Sequence, residues 1–123
     1  MSTLGSHLIL DLYACEAKEL LLSRVALEVT LAAASRKAGA SVRSTHSHEF
    51  KDKDTGESAH SIMVILEESH CSVHVWPKQS FVSFDMYTCG STDPMKAVPY
   101  LQSVFKPKDY TMKFLTRGGQ TPS

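Results

Sequence analysis

The chain is short of the features that mark secreted, fibrous or membrane-spanning proteins. It has three cysteines, Cys15, Cys71 and Cys89, too few and too odd in number for a disulfide framework, which points to a reducing cytoplasm. No apolar run approaches the ~20 residues that a spanning helix needs. The first five residues lack the charged-then-apolar pattern of a secretory leader. Net charge is missing as well, because thirteen basic side chains meet thirteen acidic ones. That balance excludes a nucleic-acid partner held by massed phosphate neutralisation and a polybasic membrane anchor. No internal repeat or low-complexity segment is present. Hydrophobic residues make up 42% of 123 residues, which fits one domain over 1–123 that buries roughly two-thirds of its unfolded surface. Histidine is the one excess: of six, His46, His48, His60, His70 and His74 fall within a short central stretch.

Hydrophobic spacing predicts the element order β-α-β-β-β-β-α-β. Leu8, Leu10 and Leu12 alternate along a strand over 7–13. A single helix is expected over 16–38, with Leu20, Leu27, Leu31 and Ala34 on one stripe and Gly39 as its cap. A weaker, polar strand follows over 40–50, then a charged loop over 51–59. Strands are expected over 60–66, 71–76 and 81–87, with a turn at 77–80. Asp93 and Pro94 start a second helix, striped by Met95, Val98, Leu101 and Phe105. Pro99 lies inside it and predicts a kink or a lost hydrogen bond. A last strand covers 110–116, and 117–123 reads as a flexible tail. The fold class is α+β: a two-layer α/β sandwich, with two helices on one face of a mostly antiparallel sheet.

Four polar residues, Glu67, Glu68, Ser69 and His70, interrupt two strands. They read either as a tight hairpin turn or as a strained turn that offers a serine hydroxyl to acid–base groups. Ser61, His74 and Cys89 are the groups at hand. A conventional serine hydrolase would follow its serine with a helix N-terminus or an oxyanion nest, whereas a strand follows here. His46 and His48 share a strand face, and His70, Cys71 and Cys89 are further ligand types. No Cys-x-x-Cys or His-Glu-x-x-His spacing accompanies them, so no metal is expected. His46 and His48 then read as surface residues of an edge strand.

Three stretches with their spacing are specific: Glu68-Ser69-His70, then His74-Val75-Trp76-Pro77, then Tyr87-Thr88-Cys89-Gly90. Together they resemble the small bacterial and archaeal S-adenosylmethionine decarboxylase proenzymes, over positions 4 to about 104. The resemblance implies self-cleavage between Glu68 and Ser69, into a β chain of 1–68 and an α chain of 69–123. It implies that Ser69 becomes a covalent pyruvoyl group, the enzyme's cofactor. That carbonyl is expected to form a Schiff base with the substrate amine and to accept electrons on decarboxylation. Ser61 and His74 match the processing residues, and Cys89 matches the acid that reprotonates the substrate carbon. An ordinary thiol, with a pKa of about 8.5, keeps its proton at neutral pH. Phe50, Lys78 and Glu68 are the implied substrate contacts, Phe50 resembling an aromatic that stacks on adenine. A homodimer is implied, with Ser69 and Cys89 of one protomer meeting Ser61 and His74 of the other.

Departures from the family pattern bear on the substrate. After Trp76-Pro77 the family usually has Glu-Tyr-Gly, whose glutamate accepts hydrogen bonds from the ribose hydroxyls. This chain has Lys78-Gln79-Ser80, and an ammonium group is a donor only. Ile62 replaces a usual glycine, and the loop behind Phe50 is longer. The expected activity is decarboxylation of S-adenosylmethionine for polyamine biosynthesis. The alternatives are a related ornithine or arginine decarboxylase and an uncleaved, non-catalytic partner subunit.

Overall fold

The computed structural model describes residues 4–119. Its strands are β1 (Gly5–Tyr13), β2 (Val42–Lys51), β3 (Ser58–Leu66), β4 (Ser69–Trp76), β5 (Phe81–Cys89) and β6 (Asp109–Arg117). Its α-helices are α1 (Lys18–Leu22), α2 (Arg24–Lys37) and α3 (Val98–Phe105). All six strands form one sheet in the order β2-β3-β4-β5-β1-β6, with every neighbouring pair antiparallel. The α+β sandwich expected from the pattern is the architecture found.

Alternation divides the sheet into two faces. Leu8, Leu10, Leu12, Ile62, Val64, Val73, Val75, Val82, Phe84 and Met86 point to one side and are buried with Leu21, Leu27, Leu31, Ala34, Leu101 and Phe105 of the helices. Each such leucine or phenylalanine contributes about 1.5–3 kcal/mol of transfer free energy. Among the described residues the opposite face carries no helix, and it is only half-buried in its central strands. Edge strand β6 is exposed along its whole length, and β2 along nearly all of it.

Three local expectations are corrected. The single helix over 16–38 is two helices, broken at Ser23, which is extended and accepts a hydrogen bond from the Ala26 N–H at 3.1 Å. A serine that can cap α2 competes with continuing the helix through it. The break also resets the phase, so Leu21 is buried while Val25 is 61% exposed. Pro99 causes no kink. A 3-10 turn over Pro94–Ala97 precedes α3, which places Pro99 in that helix's first turn, where no N–H is required of it. Finally, Arg117 belongs to β6 and pairs with Gly5, so the expected tail does not begin there. Its residues 120–123 lie outside the described residues.

Among the described residues, no helix is long and apolar enough to cross a membrane.

Candidate active site

The sharp reversal between β3 and β4 follows from two facts. Leu66 and Ser69 are the last pair of the ladder, so Glu67 and Glu68 alone make the turn. Glu68 adopts φ +58°, the left-handed region, while Glu67 does not. The favoured two-residue hairpin turns place their first central residue, or both, at positive φ, usually with glycine or asparagine. Here a glutamate takes that conformation at the second position, at a cost of about 1–2 kcal/mol. The turn is held by Arg43 of β2, which pairs with Glu67, and by Ser41 just before that strand, whose carbonyl accepts from the Glu67 N–H at 3.0 Å.

The C-terminal end of β5 lies against this turn. The Cys89 thiol donates to the Glu68 carbonyl oxygen at 3.2 Å, and the Cys89 N–H donates to Ser69 Oγ at 3.3 Å. Cys89 is itself fixed from behind: the Thr92 hydroxyl donates to its carbonyl at 2.6 Å, and the Thr88 hydroxyl donates to the Thr92 carbonyl at 3.3 Å. Cys89, distant in sequence, is therefore brought onto the Glu68–Ser69 peptide bond.

Ser61 and His74 are together but elsewhere. They are direct partners on β3 and β4, with Ser61 Oγ 2.8 Å from His74 Nδ1. His74 is five residues further along β4 than Ser69, about 17 Å at ~3.3 Å per residue. Within one chain they do not reach the Glu68–Ser69 bond. Phe50 lies at the same end as His74. Its ring meets Trp76 edge-on at 6.1 Å, and Trp76 in turn stacks on Phe81 at 5.3 Å. His74 is 6.2 Å from Trp76. Lys78 is exposed in the 3-10 turn after β4 and lines a cleft of about 350 Å³ with Lys18, Glu57 and Pro77. Its neighbour Gln79 is tied to Asp52 by an amide-to-carboxylate bond of 2.6 Å.

The other cysteines are of a different kind. Burial pushes the thiols of Cys15 and Cys71 up to about 11. Among the described residues, no group of three or more His, Cys, Asp or Glu is placed to hold a metal ion.

Sequence reading missed a cluster on the helix-free face beside Cys89. His7, Tyr87 and His70 are neighbours across β1, β5 and β4, with ring centroids 5.8 to 6.5 Å apart. His7 Nε2 contacts Asp85 Oδ2 at 2.8 Å, and the Ser72 hydroxyl bonds the other carboxylate oxygen. The Arg117 guanidinium lies over the Tyr87 ring, 4.8 Å from its centroid. The alternation of β5 was legible, but the register that brings β1 and β6 alongside it was not.

Comparison with known proteins places the chain by sequence and by fold. Residues 6–118 match the family described as S-adenosylmethionine decarboxylase. The S-adenosylmethionine decarboxylase proenzyme of Caldicellulosiruptor saccharolyticus is 34% identical over 119 residues, 96% of this chain and 91% of its own. The S-adenosylmethionine decarboxylase proenzyme 2 of Bacillus cereus is 36% identical over 118 residues, 95% of this chain and 91% of its own. The adenosylmethionine decarboxylase of Aquifex aeolicus superposes with a TM-score of 0.83 at 26% identity, over 100% of this chain and 98% of that one. The Trypanosoma brucei AdoMetDC monomer shares the fold, with a TM-score of 0.59 at 17% identity over 87% of this chain and 44% of that one. By sequence over nearly its whole length, and by fold, the chain belongs to the S-adenosylmethionine decarboxylase family.

Proposed function

We propose that the chain is a self-processing proenzyme that decarboxylates S-adenosylmethionine with a pyruvoyl group made from Ser69. One observation carries this reading: the Cys89 thiol on the Glu68 carbonyl, with Ser69 Oγ held beside the same peptide bond.

Cleavage needs a polarised carbonyl, a hydroxyl within reach and a strained peptide. The S–H donor withdraws electron density from the Glu68 carbonyl. The Ser69 hydroxyl attacks that carbon and gives its proton to a base, while the C–N bond breaks and releases the Ser69 amine as an ester forms. Loss of the Ser69 Cα proton then expels the Glu68 carboxylate, and addition of water with loss of ammonia leaves the pyruvoyl end. The left-handed Glu68 stores strain that this rearrangement releases.

These residues fit the group, because nothing beyond Ser69 itself has to be supplied. When formed, the group offers a carbonyl that condenses with the substrate amine and takes up the electrons left by carbon dioxide. Cys89, the one cysteine of the three that is not buried, is the proton donor to the substrate carbon. Ser61 and His74 act from a second copy of the chain, since their own Ser69 is about 17 Å distant. The helix-free sheet face is the surface on which a homodimer would bring the two ends together. Phe50 and Trp76 offer aromatic faces for the adenine. The protein is expected in the cytoplasm, with a small cationic substrate and no nucleic-acid partner.

Lys78, where the family has a ribose-binding glutamate, favours ornithine or arginine as a second reading. The test is intact-mass analysis of the purified protein, followed by carbon dioxide release from S-adenosylmethionine, ornithine and arginine in parallel. Two chains split at Glu68/Ser69 and release from S-adenosylmethionine are expected. A single uncleaved chain would identify a non-catalytic partner subunit, and release from the amino acids alone would overturn the substrate.

A further inference from the structure

Gly5 and Cys89 are register partners on β1 and β5, and Arg117 is the partner of Gly5 on its other side. Gly5 is buried and leaves a slot in the sheet face between them. Tyr87 fills that slot. A Cβ added to Gly5 would lie 2.5 Å from Tyr87 Oη and 2.6 Å from Cε1 and Cζ, so the ring lies flat across the glycine with its hydroxyl at the Cys89 end. Arg117 caps the ring at 4.8 Å, His7 meets it edge-on at 5.8 Å and His70 lies tilted against it at 6.0 Å. Tyr87 and Cys89, two residues apart on one strand, share a face.

We propose that Tyr87 is a positioning residue for Cys89: its hydroxyl, seated in the slot left by Gly5, donates to the sulfur and aims the thiol proton at the Glu68 carbonyl. The proposal deepens the reading of Cys89 as a proton donor. Hydrogen bonding to Cys89 is also the leading reason the Tyr87 phenol is held above its ordinary value, with Arg117 opposing. A phenol donates and accepts at once, so it orients a neutral thiol and stabilises the thiolate left after proton transfer. The groups that face this thiol are Tyr87 on its own strand, His7 on β1, His70 on β4, Arg117 on β6 and the two glutamates of the turn. Among them the Tyr87 hydroxyl is the group seated over Gly5, the register partner of Cys89.

The test reads the thiol and not turnover, so it fails separately from the assigned function. Iodoacetamide alkylation of the purified protein is followed against pH by intact mass. Cys89 is the site that reacts below pH 9, because Cys15 and Cys71 are buried with thiols pushed up to about 11. Tyr87→Phe keeps the ring and removes the donor. It is expected to move the alkylation midpoint upward by about half a pH unit or more. Gly5→Ala, which evicts the ring, should move it the same way. Superimposable profiles for the parent and Tyr87→Phe would overturn the proposal. The reciprocal measurement leaves Tyr87 in place: in Cys89→Ala the Tyr87 component of the tyrosinate absorbance, identified by difference from matched Tyr87→Phe proteins, should ionise at lower pH. An unmoved tyrosinate titration overturns the proposal equally.

Discussion

Cys89 holds both sides of one peptide bond: its thiol donates to the Glu68 carbonyl oxygen at 3.2 Å and its N–H donates to Ser69 Oγ at 3.3 Å. Cys89→Ala keeps the backbone donor and loses the thiol. Formation of the 1–68 and 69–123 chains should slow roughly tenfold or more, as the loss of one directed donor predicts. Cys89→Ser, whose hydroxyl can still donate, should recover part of that loss. Time courses of cleavage by intact mass read both.

Glu68 carries the turn's backbone strain at φ +58°. Glycine takes that conformation freely, so Glu68→Gly in an uncleavable Ser69→Ala background should stabilise the precursor by about 1 kcal/mol in urea unfolding. With Ser69 intact, the same change should slow cleavage several-fold.

Ser61 and His74 bond each other at 2.8 Å, far along the sheet from their own Ser69. Ser69→Ala and His74→Ala proteins should each fail to process. Co-expressed, they should regain cleavage in the His74→Ala chains, because a mixed dimer contains one complete site. Absence of any cleavage in the mixture would place every needed group within one chain.

Asp52 gives a pH signature. The Asp54 N–H, at 2.9 Å, and then the Gln79 amide hold its carboxyl below the ordinary 3.8. A folded value below the unfolded one contributes stability that is present above 3.8 and lost as pH falls toward the folded value. Asp52→Asn should therefore lower the urea midpoint at neutral pH, and the gap should narrow as pH falls below 3.8.

Lys78 tests the substrate. Lys78→Glu restores an acceptor for ribose hydroxyls. It should lower KM for S-adenosylmethionine with kcat little changed, and should not improve ornithine or arginine. Steady-state carbon dioxide release separates these outcomes.

Much of the fold was legible because strands with one buried face alternate. The leucines of β1 and the valines of β4 announce the inner face without any partner in view. Helices were less legible where a residue can act in two ways. Ser23 reads as a tolerable helix interior, yet it caps α2, and Pro99 reads as a kink until the preceding 3-10 turn makes it a first-turn residue. Both outcomes depend on where the helices meet the sheet.

The candidate site divides in the same way. Sequence alone determined which chemistry is present: a serine at a polar turn, a cysteine at a strand end, and a serine and a histidine on neighbouring strands. These are properties of residue type and local spacing. Tertiary structure decided which groups meet. It set Cys89 on the Glu68–Ser69 bond, kept Ser61 and His74 about 17 Å away, and laid Tyr87 across Gly5. The reason is register: residues far apart in the chain become neighbours only when antiparallel strands align, and a slip of one residue would turn each of them to the other face.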